Sequence, residues 1–119
     1  MPLIELFKNF RDKYMRSSIE KLEFPEFPPD EERRYEIIFS GIVQGVGFRY
    51  EAWLIAQKLN LTGFAENLPG GDVRIEIQGP KNKILHLIYC MESIPRISIE
   101  NKIMKELQLK DEDVFTPVY

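Results

Sequence analysis

The spacing of hydrophobic residues changes near residue 35 and divides the chain into two parts. Residues 3–22 place apolar side chains near one helical face, which predicts an amphipathic helix. The face is formed by Leu3, Phe7, Phe10 and Tyr14, and it is widened by Ile4, Leu6, Met15 and Ile19. Residues 23–34 hold three prolines and a run of charges, which predicts an extended linker or arm. We therefore predict an N-terminal extension over residues 1–34 and a folded domain over residues 35–119.

Within the second part, strand-like and helix-like patterns alternate. Residues 72–78 alternate apolar and charged side chains, as a half-exposed strand does, and the turn-forming residues 68–71 precede them. Residues 81–93 carry apolar residues at helical spacing. The predicted elements are strands over 35–42, 61–67 and 72–78, helices over 48–60 and 81–93, an extended stretch over 96–109 and a short edge strand over 115–119.

This order, βαββαβ with an extra terminal strand, predicts an α+β sandwich of the ferredoxin-like type. Two helices would cover one face of a largely antiparallel sheet. A right-handed crossover through the first helix would make the first two strands parallel. The loop over 43–49 and Asn67 would then lie at the same edge of the sheet.

Composition narrows the classes of function. The chain has 119 residues, 44% of them hydrophobic and 29% charged, which is typical of one globular domain. A net charge of −3 gives no strong attraction to nucleic acid. Cys90 and His86 are the only residues of their types, so neither a zinc site nor a histidine-based triad can be assembled. The charged N-terminus lacks the apolar core of a signal peptide and the longest apolar stretch is too short to span a bilayer, so we expect a cytoplasmic protein.

Residues 41–49, GIVQGVGFR, are typical of an anion pocket. Gly45 and Gly47 allow a bend whose N–H groups turn inward, and a predicted helix begins directly after them. Arg49 adds a permanent charge whose planar fork fits two phosphate oxygens. The alternative is a simple strand-to-helix turn with a surface arginine. Asn67 could likewise serve only to cap the backbone of the following turn.

Two motifs together resemble the acylphosphatase family over about residues 35–119. The first is GIVQGVGFR at 41–49, and the second is GFAEN at 63–67, followed by Leu-Pro-Gly and then Gly-Asp-Val. The ending DVFTPVY is also similar to the family's last short strand. The resemblance implies hydrolysis of acyl phosphates to a carboxylate and phosphate, with no metal, no cofactor and no covalent intermediate. It implies that Arg49 binds the substrate phosphate and that Asn67 holds the attacking water. The implied phosphate cradle consists of Gln44, Gly45, Val46, Gly47, Phe48 and Arg49.

Two features of the chain depart from the family pattern and leave a second function open. Glu66 stands where the family usually has a basic, amide or small residue, and strand alternation would aim it away from the pocket. The N-terminal extension is longer than usual. The alternative function is a non-catalytic phosphate-binding regulatory module whose N-terminal helix binds a partner. Separately from the choice of function, we predict that residues 3–22 fold back on the domain or pair two chains, because an isolated helix of this length is marginal in water. Nucleic-acid binding is disfavoured because Arg74 is the only basic residue on the polar face of the third strand.

Overall fold

A computed structural model describes residues 22–118 of the chain. The elements are β1 (Glu32–Ile42), α1 (Phe48–Leu59), β2 (Thr62–Asn67), β3 (Val73–Pro80), α2 (Lys81–Ser93), β4 (Ser98–Leu107) and β5 (Phe115–Pro117). This order confirms the predicted βαββαβ pattern with an extra terminal strand. Apart from Leu22, the predicted helix over residues 3–22 lies outside the described residues.

The strands form one five-stranded sheet in the order β4-β1-β3-β2-β5. β3 pairs antiparallel with both β1 and β2, so β1 and β2 run parallel, as the right-handed crossover predicted. β4 pairs antiparallel with β1 at one edge, and β5 pairs parallel with β2 at the other. The C-terminal ends of β1 and β2, which lead into loop 43–47 and turn 68–72, therefore lie at the same end of the sheet.

The core lies between one face of the sheet and the two helices. Alternate residues of the central strands are fully buried on that face, among them Ile37, Ile75 and Ala65. Cys90 lies in this core on α2, where burial raises the pKa of its thiol and keeps it protonated at neutral pH. No helix among residues 22–118 is long and apolar enough to cross a bilayer.

The proline-containing segment before β1 packs against the domain. Asp30 accepts a hydrogen bond of 2.9 Å from the backbone N–H of Asn82, in the first turn of α2. The N–H of Lys81 donates to the carbonyl oxygen of Glu31 at 2.9 Å. β1 itself begins three residues earlier than predicted, because Glu32 to Arg34 already pair with the end of β3.

The opposite face of the sheet is partly covered by the loop 108–114. Arg34 projects from β1 on this face, is 1% exposed, and forms ion pairs with Glu76 at 3.0 Å and with Glu112 of the loop at 2.8 Å. Gln78 of β3 exchanges two hydrogen bonds with the backbone of Lys110. Burial lowers the pKa of Arg34, but hydrogen bonds to Glu112 and Glu76 raise it, and the net shift is upward. The guanidinium therefore stays charged and holds the loop on the sheet.

Candidate active site

The bend between β1 and α1 depends on two glycines in the left-handed region. Gly45 has φ of 74° and Gly47 has φ of 78°, conformations that side chains disfavour. Gly47 is the residue that precedes the first turn of α1. Phe48 then turns its ring into the core, 5.0 Å from the ring of Phe39, and is 2% exposed. Only the backbone of Phe48 therefore remains available to a ligand, and the positive end of α1 begins at this bend.

Gln44 fixes this bend to the turn that follows β2. Its side-chain Nε2 donates to the carbonyl oxygens of Leu68 and Asp72, each at 2.8 Å. These two residues enclose the Gly70–Gly71 turn directly after Asn67, and the Leu68 N–H also donates to the Asp72 oxygen at 2.8 Å. The predicted cradle and the loop that follows Asn67 are thus joined through one amide.

Arg49 is tied to the same end of the sheet through the C-terminal segment. Its guanidinium Nη1 donates to the carbonyl oxygen of Val118. The N–H of Val118 in turn donates to the oxygen of Ala65 in β2 at 2.8 Å. Ala65 lies two residues before Asn67, so the chain of contacts leads from Arg49 to the end of β2 that carries Asn67.

Asn67 is the last residue of β2 and is exposed. Strand alternation puts it on the same face of the sheet as the buried Ala65, which is the face that α1 covers. The structure therefore brings the loop 44–48, Arg49 and Asn67 to one end of the sheet, on its helix side.

Glu66 lies on the opposite face. Its carboxylate forms an ion pair of 2.7 Å with Arg74 of β3, and Arg74 also pairs with Glu36 at 3.3 Å. The Arg74 guanidinium lies over the ring of Phe64, 5.3 Å from its centroid. The negative charge beside Asn67 is therefore directed away from the cradle and is paired, as alternation along the strand predicted.

A second arginine contacts the bend from outside. Arg96, in the connection between α2 and β4, donates from Nε to the carbonyl oxygen of Val46 at 2.7 Å. Its Nη2 forms an ion pair of 2.6 Å with Glu51, whose side chain is 1% exposed. Glu51 lies in the first turn of α1. Sequence reasoning missed both residues, because neither belongs to the glycine motif and Arg96 lies 50 residues after Val46.

Among residues 22–118, no group of three or more His, Cys, Asp or Glu side chains is arranged to hold a metal ion. The polar groups that the structure gathers at this end of the sheet are mainly amides, backbone N–H groups and guanidinium groups, and the Glu51 carboxylate among them is paired with Arg96. Such donors suit an anion with several oxygen atoms, of which phosphate is the obvious example.

Comparison with known proteins agrees with this chemistry. A family model described as acylphosphatase matches residues 35–116. The chain is 53% identical over 55 residues to an acylphosphatase of Clostridium beijerinckii, a match that covers 46% of this chain and 61% of that relative. It is 42% identical over 69 residues to an acylphosphatase of Vibrio parahaemolyticus, covering 58% of this chain and 77% of the relative.

A solved structure extends the agreement to the fold. The crystal structure of acylphosphatase from Bacillus subtilis superposes with a TM-score of 0.69 at 32% sequence identity. The superposition covers 73% of this chain and 99% of that one.

Proposed function

The chain belongs to the acylphosphatase family, and from this premise we propose that it hydrolyses acyl phosphates to a carboxylate and inorganic phosphate. The proposed site consists of the loop 44–48, Arg49 and Asn67. Metal ions and organic cofactors have no role in the proposed reaction. Each remaining step can be assigned to residues of this chain.

The loop and Arg49 bind the phosphoryl group. Phosphoryl transfer passes through a loose transition state in which negative charge is spread over the equatorial oxygens. Backbone N–H groups at the Gly45–Gly47 bend and the N-terminus of α1 stabilise that charge without reorganising. The Arg49 guanidinium supplies the full positive charge, and its hydrogen bond to the Val118 carbonyl orients it.

Asn67 positions the attacking water. Its carboxamide can accept a hydrogen bond from the water and donate one to it or to the phosphate, which favours in-line attack. The P–O bond to the acyl group breaks as the bond to water forms, and the leaving group is a carboxylate of low pKa that requires no strong general acid. The water's proton passes to the substrate's own phosphate oxygens, so the reaction needs no histidine.

One observation supports this assignment above the others. The Arg49 side chain bonds to Val118, whose N–H bonds to Ala65 near the end of β2, while Gln44 bonds on both sides of the turn after Asn67. The anion-binding part and the water-binding part are therefore connected by two separate sets of hydrogen bonds, as a preorganised site requires.

Hydrolysis of benzoyl phosphate tests the proposal directly. We expect the wild-type protein to accelerate its decay and the Arg49→Ala variant to lose a factor of about 10²–10³ or more in rate, the usual cost of a preorganised donor. Arg33→Ala is the matched control, because Arg33 is also a half-buried arginine of the folded domain but lies at the opposite end of β1. Benzoyl phosphate decaying at its spontaneous rate in the presence of the wild-type protein would refute the enzymatic proposal. If inorganic phosphate still raised the melting temperature, the protein would be the non-catalytic phosphate-binding module instead.

The partners and the location belong to the same proposal. The substrate is a small acyl phosphate, and we propose neither a nucleic-acid partner nor a membrane partner. Paired acidic side chains, Glu36 and Glu66, occupy the open sheet face beside Arg74, which is unfavourable for a nucleic acid. We further propose a cytoplasmic location, and that residues 3–22 dock on the domain or pair two copies of the chain.

A further inference from the structure

Arg96 is held in a fixed position between α2 and β4. The flanking residues Ile94 and Ile97 are 3% and 5% exposed, and the N–H of Ile97 donates to the Ile94 oxygen at 3.0 Å. Two buried side chains and a closed turn therefore anchor the backbone on both sides of Arg96. The arginine projects from a rigid base, although it lies in a connection between two elements.

The guanidinium of Arg96 joins the two ends of the bend that begins α1. Nε bonds to the carbonyl oxygen of Val46 at 2.7 Å, and Nη2 bonds to Glu51 at 2.6 Å. The N–H of Glu51 itself donates to the Gly47 oxygen at 3.0 Å, the first hydrogen bond of the helix. One planar group therefore contacts the loop just before the helix and the side chain one turn inside it, a double contact that suits the rigid fork of arginine.

The contact with Val46 determines the direction of an N–H group. A trans peptide unit is planar, with the C=O of one residue and the N–H of the next pointing in opposite directions. Because the Val46 carbonyl points towards Arg96, the Gly47 N–H points away from Arg96. The proposed phosphate cradle is made of such loop N–H groups. Arg96 thus sets the orientation of one of them, the Gly47 N–H, from outside the pocket.

The contact between Arg96 and Glu51 offsets the negative charge of the Glu51 carboxylate. Glu51 is buried, and its carboxylate lies in the first turn of the same helix whose N-terminus is proposed to bind phosphate. An uncompensated carboxylate there would oppose the binding of a second anion, since two like charges interact over several ångströms at low local dielectric. The Arg96 ion pair reduces that repulsion.

We propose that Arg96 is a positioning residue for phosphate binding, which aims the Val46–Gly47 peptide and neutralises Glu51 without touching the substrate. The inference rests on the proposed function of the same loop. It assigns Arg96 and Glu51 to the control of substrate affinity, whereas Arg49 and Asn67 act on the substrate itself.

Substitution of Arg96 by methionine tests the inference through affinity. Inorganic phosphate binding is measured by calorimetry and by competitive inhibition of benzoyl phosphate hydrolysis. We expect Arg96→Met to weaken phosphate binding and to raise KM about tenfold, because the positive charge that offsets Glu51 and the support of the Val46 carbonyl are both removed. Arg96→Lys keeps the charge but lacks the planar fork that holds both partners, and an intermediate loss is expected.

The Glu51→Gln change separates the two effects of Arg96. The double variant Arg96→Met, Glu51→Gln no longer carries the buried charge, so it should regain part of the lost phosphate affinity while the loop stays unsupported. Arg33→Met is the matched control. Arg33 also pairs with two carboxylates, Glu31 and Glu106, and is 34% exposed against 35% for Arg96, but it lies far from the bend.

The outcomes distinguish this inference from the proposed function. If Arg96→Met lowers the melting temperature but leaves phosphate affinity and KM equal to those of Arg33→Met, Arg96 is only structural and the inference is overturned. If the wild-type protein binds phosphate without hydrolysing benzoyl phosphate, the proposed enzyme is refuted while calorimetry still decides the role of Arg96. If the wild-type protein neither binds phosphate nor hydrolyses benzoyl phosphate, both fail. Should Arg96→Met not fold, Arg96→Lys with unchanged phosphate affinity would overturn the inference equally.

Discussion

Gln44 illustrates how one side chain sets the distance between two loops. An amide nitrogen has two hydrogens, and at Gln44 each of them is used by a carbonyl oxygen 2.8 Å away. The acceptors, Leu68 and Asp72, stand on either side of a glycine turn. A side chain of another length or charge would leave the loop 43–47 and this turn unconnected.

Gln44→Glu preserves the shape of the side chain but should destabilise the site. The carboxylate presents an oxygen to two carbonyl oxygens, so both hydrogen bonds are lost, and we expect the free energy of unfolding to fall by about 1–3 kcal/mol. Phosphate affinity should fall as well, because the cradle loses its connection to the turn after Asn67. Urea denaturation and calorimetric phosphate titration measure the two effects.

Gln57→Glu is the control for this substitution, because Gln57 is exposed on α1 and the change adds the same charge. Equal losses of stability and affinity in the two variants would contradict the role given to Gln44.

At the scale of single residues, sequence reasoning identified only residues that belong to a recognisable motif. The glycines and Arg49 were proposed from their spacing, and Asn67 from the order of the strands. The side-chain role of Gln44, the Val118 carbonyl and the Arg96–Glu51 pair were not found. Their partners lie 24 to 69 residues away along the chain, and no local pattern encodes such contacts.

The arm that precedes β1 caps the N-terminus of α2, a helix that begins far from it in the sequence. α2 follows Pro80 directly, and its N-cap position provides no side-chain hydrogen bond. Asp30 supplies one from 52 residues away by accepting the Asn82 N–H, and the negative charge also suits the positive end of the helix. Asn82 in turn donates from its side chain to the Pro28 oxygen at 2.8 Å.

Replacing Asp30 by alanine should destabilise the domain as the loss of a helix cap does. We expect the free energy of unfolding to fall by about 1 kcal/mol, or about 3–6 °C in melting temperature for a domain of this size. Asp113→Ala, at an exposed carboxylate in the loop before β5, should change neither value appreciably. Thermal unfolding followed by circular dichroism checks both, and equal melting temperatures for Asp30→Ala and the wild type would rule out the cap.

The elements with a regular hydrophobic period were predicted well, and α2 agrees with the predicted residues 81–93 at both ends. Asn60 ends α1 in the left-handed conformation with φ of 54°, which asparagine tolerates better than most residues. The start of β1 was missed because residues 32–34 are all charged. Their strand conformation comes from pairing with β3 and from the burial of Arg34 between two glutamates, which periodicity does not reveal.

On the scale of the whole molecule, element order and the handedness of crossovers were enough to predict the architecture. They place the helices on one face and make β1 and β2 parallel. The position of β5 beside β2 and the passage of loop 108–114 over the open face could not be derived in this way. The first depends on parallel pairing of β5 with β2, far from it in the sequence. The second depends on contacts with side chains, such as Arg34 and Gln78, that a strand pattern classes only as polar.

The role predicted for residues 3–22 can be tested by removing residues 1–21. This truncation spares the arm that caps α2. An isolated helix of that length is marginal in water, so we expect deletion to lower the melting temperature if the segment docks on the domain, or to change the mass measured by light scattering if it pairs two chains. The same mass and the same melting temperature as the full chain would refute both forms of docking.

The loop 108–114 also has a minimum length. It connects β4 and β5, which are the two outer strands of the sheet. Four strand spacings separate those edges by roughly 19 Å, and the chain from Leu107 to Phe115 can reach at most about 28 Å when fully extended. Lengthening this connection costs little free energy, but removing three residues would leave a reach of about 18 Å. A family member with so short a connection could not place its last strand beside β2, and its arginine would lose the backbone carbonyl that orients it here.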